Sequence, residues 1–263
     1  MSKKKQSVSV QERLDIDRPP EKDMSGIIAT YRTHVGKVRS NNEDSVLVSK
    51  KDGLYIVADG MGGHNAGEIA SAMVVSTLSE LLHQETPTKE ALCSAANEAN
   101  TRIFKSSCEH KEQSGMGTTL TILWDKGDSF ILGHIGDSRA YLLRDHVFTQ
   151  MTEDHSVVGE LLKAGRITAE QAKTHPYRNV ITRAVGTDKE IETDIRIVEK
   201  KPCDVWLLCS DGLSGNIDDT EMQSVLETES IEHAAEKLLQ MSLAAGGRDN
   251  ITLVLLMVQE VKA

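Results

Sequence analysis

Aromatic side chains are scarce: two Trp, four Tyr and three Phe make up 3% of the 263 residues. With hydrophobic residues at 39%, the core must be built chiefly from Leu, Ile, Val, Met and Ala. Cysteine is sparser still. Cys93, Cys108, Cys203 and Cys209 show no C-x-x-C spacing, so neither a zinc knuckle nor a disulfide framework is indicated. The expectation is a reduced, cytoplasmic chain. No run approaches 18 consecutive apolar residues, which removes a membrane-spanning helix. An excess of positive charge is missing too. Forty acids against 30 bases leave a formal charge of −10, which speaks against a nucleic-acid binder and against an anionic membrane surface as partner. The basic Met1–Gln6 segment is not followed by an apolar stretch, and Ser2 stands where myristoylation needs Gly. Neither a signal peptide nor a lipid anchor is therefore expected.

At 28.9 kDa, a compact chain buries about 70–75% of its unfolded surface, enough for one large core or two modest ones. Residues 1–25 mix six bases with five acids around Pro19-Pro20 and have few apolar residues, so they read as a flexible N-terminal tail. Residues 26–263 read as a single domain with no internal repeat.

Apolar runs predict strands at 27–31, 45–49 and 54–58, with Lys51-Asp52-Gly53 as a turn. Ile69, Met73, Val74, Leu78, Leu81 and Leu82 form one stripe of a helix from about 66 to 83. Thr86-Pro87 predicts the start of a second helix, which runs to about 107. Three consecutive strands follow near 117–124, 129–135 and 139–145. A helical section covers 156–164 and 169–173, with Gly165 ending its first piece and Thr168 and Gln171 forming a capping box for the second. Strands return at 191–198 and 204–209, then helices at 219–228 and 231–243, then a last strand at 251–259. Strand runs separated by helix pairs favour two packed antiparallel sheets with the helix pairs outside.

Acids recur at strand ends. Asp59, Asp137 and Asp211 each terminate an apolar strand, and Asp249 precedes the last one. An Asp-Gly after a strand is commonly a turn. Several carboxylates at the rim of one core would repel and resist desolvation, so cations must answer them. Arg39, Arg139 and Arg248 lie near the acids in sequence; Mg²⁺ or Mn²⁺ would suit the same oxygen donors. Spacing alone leaves a metal site and a set of turns and ion pairs equally open.

The stretch Gly36-Lys37-Val38-Arg39-Ser40-Asn41-Asn42-Glu43-Asp44 resembles the G-x-x-R-x-x-N-E-D opening motif of the metal-dependent protein phosphatases, the type 2C serine/threonine phosphatases. Asp59-Gly60-Met61-Gly62-Gly63-His64, running on to Gly67-Glu68, is similar to the bacterial form of the second motif. Gly117-Thr118-Thr119, Gly136-Asp137-Ser138-Arg139, Ser210-Asp211-Gly212-Leu213 and Arg248-Asp249-Asn250-Ile251-Thr252 match the later motifs in order. Asp154-His155-Ser156 and Asn179 to Ala184 resemble parts of a flap spanning about 153–190. Each motif is short, but six in the right order are specific.

The resemblance implies an α+β fold, a four-layer α/β/β/α sandwich of two antiparallel sheets flanked by helix pairs. It implies two Mn²⁺ or Mg²⁺ ions, with room for a third. Asp59 would bridge the two ions, the Gly60 carbonyl would bind the first, and Asp211 and Asp249 would hold the second. Glu43 would join them directly or through water, with Asp44 supporting the hydrated shell, and Asp137 with Asp211 would hold the third ion. Two ions about 3.5–4 Å apart lower the pKa of a shared water, and the resulting hydroxide would attack phosphorus in line with the departing Ser or Thr oxygen. Arg39 is the implied phosphate clamp, because a guanidinium fork can pair two phosphate oxygens. Its competing role is an ion pair with Glu43 or Asp44.

The sequence departs from the family at one point. Met61 stands where many eukaryotic members carry a His proposed as general acid, and that role does not transfer to His64 across Gly62-Gly63. His155 reads as a loop-structuring residue, and Cys203 and Cys209 as core or near-core thiols. The implied activity is hydrolysis of phosphoserine and phosphothreonine in proteins by a monomer, opposing a bacterial Ser/Thr protein kinase. A silent, phosphoprotein-binding relative is the competing class, but the retained metal acids argue against it.

Overall fold

The computed structural model describes residues 26–63 and 66–259; the tail at 1–25 and His64 lie outside the described residues. The strands form two antiparallel sheets. One has the order β1 (Ile27–His34), β11 (Ile251–Val258), β10 (Val205–Cys209), β7 (Arg139–Arg144), β8 (Val147–Gln150). The other runs β2 (Asp44–Ser49), β3 (Leu54–Met61), β5 (Leu120–Asp125), β6 (Ser129–Ile135), β9 (Asp194–Glu199), with β4 (Gly117–Thr118) paired to the end of β3.

Helices α1 (Ala66–Leu82) and α2 (Lys89–Glu109) cover the second sheet, and α6 (Asp219–Thr228) and α7 (Ile231–Ala244) cover the first. The short helices α3 (Val157–Lys163) and α4 (Ala169–Lys173) lie between β8 and β9, and α5 (Asp211–Ser214) follows β10. The expected four layers are present.

Both faces of each sheet are covered, which explains why the central strands read as unbroken apolar runs instead of alternating with polar residues. The alternation is between two cores. In β10, Trp206 and Leu208 face the other sheet while Leu207 and Cys209 face the helices. In β3, Tyr55 and Val57 point between the sheets, and Leu54, Ile56 and Ala58 point to α1. The aliphatic expectation holds for most of the two helix-facing cores, although each buries an aromatic, Trp124 in one and Tyr141 in the other. Between the sheets, Tyr55, Phe130 and Trp206 meet edge to face, with centroids 6.5 and 5.8 Å apart.

Several local expectations need correction. The second helix is capped by Thr88, whose Oγ1 accepts the Ala91 N–H at 3.1 Å, so Thr86 and Pro87 lie before it. The strand expected at 117–124 is broken at Thr119, and the third of the three consecutive strands, β7, lies in the other sheet from β5 and β6. Strand β8 was not anticipated. It returns through Asp145-His146, both with positive φ (52° and 62°), a turn that lacks the usual Gly or Asn signal. Cys203 is exposed, not near-core, whereas Cys209 is fully buried.

Candidate active site

The turns and strand ends at one edge of both sheets bring the acids together. Asp59 near the end of β3 lies directly across from Asp44 at the start of β2. Asp137 occupies the turn between β6 and β7, Asp211 begins α5 just beyond β10, and Asp249 sits two residues before β11. Asp211 is thus the first residue of a short helix and not the turn residue its Asp-Gly neighbours suggest.

Hydrogen bonds fix these positions. The Asp59 N–H donates to Thr119 Oγ1 at 2.9 Å, and that hydroxyl lies 2.8 Å from Ser138 Oγ, so the backbones at Asp59 and Asp137 are tied across the second sheet. Asn250 ties the other side. Its Oδ1 accepts the Glu43 N–H at 2.8 Å, and its Nδ2 donates to the Val35 and Asn41 carbonyls at 3.0 and 2.9 Å. The loop carrying Arg39 and Glu43 is therefore pinned to the residue next to Asp249. Ser210 Oγ donates to Asp44 Oδ2 at 2.9 Å and accepts the Thr252 N–H at 3.0 Å.

Two glycines let backbones press together here. A Cβ on Gly60 would fall inside contact distance of the Gly67 and Glu43 carbonyl oxygens, and one on Gly212 would strike the Asn250 carbonyl.

The electrostatics are dominated by burial. Desolvation, reinforced by Asp44, Asp211, Asp137 and Asp249, pushes the Asp59 carboxyl well above the usual carboxylate range. Burial raises Asp44 to about 7 despite its bonds to Thr252 and Ser210. Asp137 is raised to about 7 by burial and by Asp211 and Asp154. Asp211 is raised to about 6 by burial and Asp249, against a hydrogen bond with Asp59. Glu43 is raised by burial, with Arg39 opposing.

The protein supplies little compensation. Arg39, half-exposed, donates to Asp249 Oδ2 at 2.8 Å, so its ion pair is with Asp249 and not with Glu43 or Asp44. Arg139 turns away to Asp154, gripping it through Nε and Nη2 at 2.7–3.1 Å. Asp44 Oδ1 is buried with no hydrogen-bond partner among the described residues. Among the described residues, no three His, Cys, Asp or Glu side chains close into a ready-made cation cage. The acids are gathered, and part of their hydrogen-bonding capacity is spent on one another and on Arg39.

Sequence reasoning missed Asn250, Ser210, Thr119 and the Arg139–Asp154 pair as supports of the site. Each lies inside or beside a quoted motif, but no motif says which partner it meets. Asn250 and Ser210 act through contacts between distant segments, 207 positions from Asn250 to Glu43 and 166 from Ser210 to Asp44.

Known proteins of one family share this fold. The family model "Protein phosphatase 2C" matches residues 33–253. The chain is 39% identical over 237 residues to the serine/threonine phosphatase stp of Listeria monocytogenes, covering 86% of this chain and 94% of that protein. It is 42% identical over 226 residues to the serine/threonine protein phosphatase PstP of Mycobacterium tuberculosis, covering 85% of this chain but 43% of PstP. A crystal structure of the PstP catalytic domain in complex with two manganese ions superposes with a TM-score of 0.82 at 38% identity, covering 89% of this chain and 99% of that one. Among the described residues, no helix is long and apolar enough to cross a membrane. The chain belongs to the protein phosphatase 2C family and is a serine/threonine phosphatase of the bacterial kind.

Proposed function

We propose that residues 26–263 act as one catalytic domain that hydrolyses phosphoserine and phosphothreonine in proteins with divalent metal ions, opposing a Ser/Thr protein kinase. The observation that carries the metal is the acid cluster, and within it the buried Asp44 Oδ1, which has no hydrogen-bond partner among the described residues. Protein interiors do not leave several desolvated carboxylates without cations unless something else supplies the charge. The donors are hard oxygens, which suit Mg²⁺ or Mn²⁺. The manganese in the PstP structure supports the same choice.

Asp59, Asp211, Asp249 and the Gly60 carbonyl would hold the ions, with Glu43 and Asp44 completing their surroundings and Asp137 serving a third. Bound there, the ions would supply Lewis acidity toward phosphoryl oxygens and a lowered pKa for water. Arg39 orients the substrate. Its guanidinium is half-exposed at the acid cluster, and exchanging Asp249 for two phosphate oxygens preserves its charge pairing. Residue 61 is a thioether and has no proton to give a leaving alkoxide. The flap at about 153–190 borders this edge through Asp154 and His155 and would bear on which phosphoproteins enter. Four free thiols support a reducing, cytoplasmic setting.

The test is release of phosphate from a phosphothreonine peptide with Mn²⁺, Mg²⁺ or chelator. Turnover that requires the ion, and collapses in Asp59→Asn, is expected. Equal turnover in chelator, or full activity in Asp59→Asn, would sink the reading.

A further inference from the structure

The first residues of the flap carry more anchoring than a connector needs. His155 follows the Arg139-bound Asp154 and lies against Gly136. Its backbone N–H donates to the Gly136 carbonyl at 2.8 Å, and the Gly136 N–H donates back to the ring Nδ1 at 3.0 Å. The other ring nitrogen, Nε2, faces Asp194 Oδ2 at 3.2 Å, and the ring stacks on His134 with centroids 4.9 Å apart. The His155 carbonyl accepts the Thr182 N–H at 2.8 Å. One residue therefore joins the flap's entry, its return and the start of β9 to the turn that carries Asp137.

The hydrogen bonds dictate the ring's protonation. The Gly136 N–H can donate only to an unprotonated Nδ1, so the ring proton sits on Nε2, where Asp194 accepts it. Burial and the Arg183 charge hold the imidazole below its ordinary pKa, favouring this neutral form. Gly136 itself has φ of +107°, and a Cβ there would collide with the Thr119 side chain, so the turn has one residue type available to it. Its buried N–H needs an acceptor. The ring nitrogen is that acceptor, one residue before Asp137.

We propose that His155 is a positioning residue for Asp137: by accepting the Gly136 N–H through Nδ1, it fixes the β6–β7 turn and couples the flap to that carboxylate. This rests on the reading in which Asp137 helps hold a divalent ion. Groups that orient metal ligands are worth about 10–100-fold in metal affinity.

Two variants separate the ring's contacts. In His155→Asn, the amide oxygen can take the place of Nδ1 and keep the Gly136 bond. In His155→Gln, the longer amide can reach Asp194 but does not present an acceptor to Gly136. Calorimetric titration of the chelator-stripped full chain with Mn²⁺ should show the weakest binding step weakened at least about tenfold in His155→Gln. Asp137→Asn should weaken the same step, and the double variant should lose no more than Asp137→Asn alone. His155→Asn should stay within about threefold of wild type, a small fraction of that orienting effect. In the metal-free protein, ¹⁵N spectra should show His155 as the Nε2–H tautomer.

Unchanged Mn²⁺ binding in a folded His155→Gln, equal losses in the Asn and Gln variants, or an Nδ1–H tautomer would overturn the proposal. If His155→Gln does not fold, Asp194→Ala removes the acceptor holding the Nε2 proton and should weaken the same step; no change there overturns the proposal as well. Mn²⁺ binding that is indifferent to Asp137→Asn overturns instead the assignment of an ion to Asp137, and the coupling falls with it. The tautomer then still reports whether the clamp on Gly136 exists.

Discussion

Replacing Asp44 by Asn should stabilise the metal-free protein while weakening its response to metal, a pair of effects with opposite sign. Asp44 is buried, its Oδ1 has no partner among the described residues, and burial lifts its pKa from 3.8 to about 7. A carboxyl whose folded pKa lies above its unfolded one adds stability that is complete below about pH 4 and is lost as the pH rises through about 7. At about 1.36 kcal/mol per pKa unit, the loss in ion-free protein at pH 8 reaches about 4 kcal/mol as an upper bound. Relaxation reduces it. Asn still accepts from Ser210, but it places an amide NH₂ where the orphan oxygen stood, and that group must find an acceptor among the neighbouring carboxylates. A net gain of about 1–2 kcal/mol is expected, or about 2–8 °C in Tm at about 2–4 °C per kcal/mol for a domain near this size.

The assay is thermal unfolding of both proteins in chelator and in Mn²⁺, at pH 8 and pH 5. In chelator the Asn variant should melt higher at pH 8, and the difference should shrink at pH 5. In Mn²⁺ the order should reverse or close. The wild type gains binding energy of about 2.7 kcal/mol at a hundredfold excess over Kd, and the variant forfeits part of it. An Asn variant that melts below wild type in chelator at pH 8, or gains as much from Mn²⁺ as wild type, would refute the view that Asp44 is strained by uncompensated charge.

Arg39→Lys should lower kcat/KM on an aryl phosphate at least tenfold while moving Tm by less than about 4 °C, since a half-exposed ion pair with Asp249 contributes about 1 kcal/mol or less. Matching losses in both measurements would contradict the clamp. Gly212→Ala forces the Asn250 carbonyl to move and should cost about 1–3 kcal/mol in chemical denaturation together with activity; a neutral substitution would show that the close approach is dispensable. Asp204→Ala, far from the acids in the fold's pairing scheme, removes the buried carboxylate that takes Arg144 and the Lys201 N–H, leaves Arg144 its Glu199 carbonyl, and should cost about 1–3 kcal/mol by denaturation with kcat of the remaining folded enzyme unchanged.

Much of this architecture was legible because its physical cause is local. Strands covered on both faces announce themselves as continuous apolar runs, as Val205–Cys209 and Ile251–Val258 do. The capping box at Thr168 and Gln171 is a four-residue pattern and forms as read. The misses share a different cause. Which sheet β7 joins was not legible, because its pairing with β10 is set by the packing of one sheet on the other and by no local property of the strand. The β7–β8 turn uses Asp145 and His146 in a conformation usually reserved for Gly or Asn, so β8 had no punctuation to announce it. At the site, the acids were legible as strand ends in motif order. Their supports were not: Asn250 reaches Glu43 across 207 positions, and nothing near either residue predicts the meeting.

The cluster also gives the chain's charge a structural meaning. Six of the 40 acids, Glu43, Asp44, Asp59, Asp137, Asp211 and Asp249, lie at one edge, while the three apolar cores are built elsewhere, between the layers. The cores close without the acids, so the edge can hold an electrostatically unfavourable arrangement that no core position would tolerate. Two bound divalent ions would bring the formal charge from −10 to −6, and a third to −4. The acidity is therefore unevenly distributed in its consequences. On the helical surfaces a carboxylate meets water or a neighbour such as the Arg102 that pairs with Glu80 and Glu98. At this edge it meets other carboxylates, and the cation has to come from outside the chain.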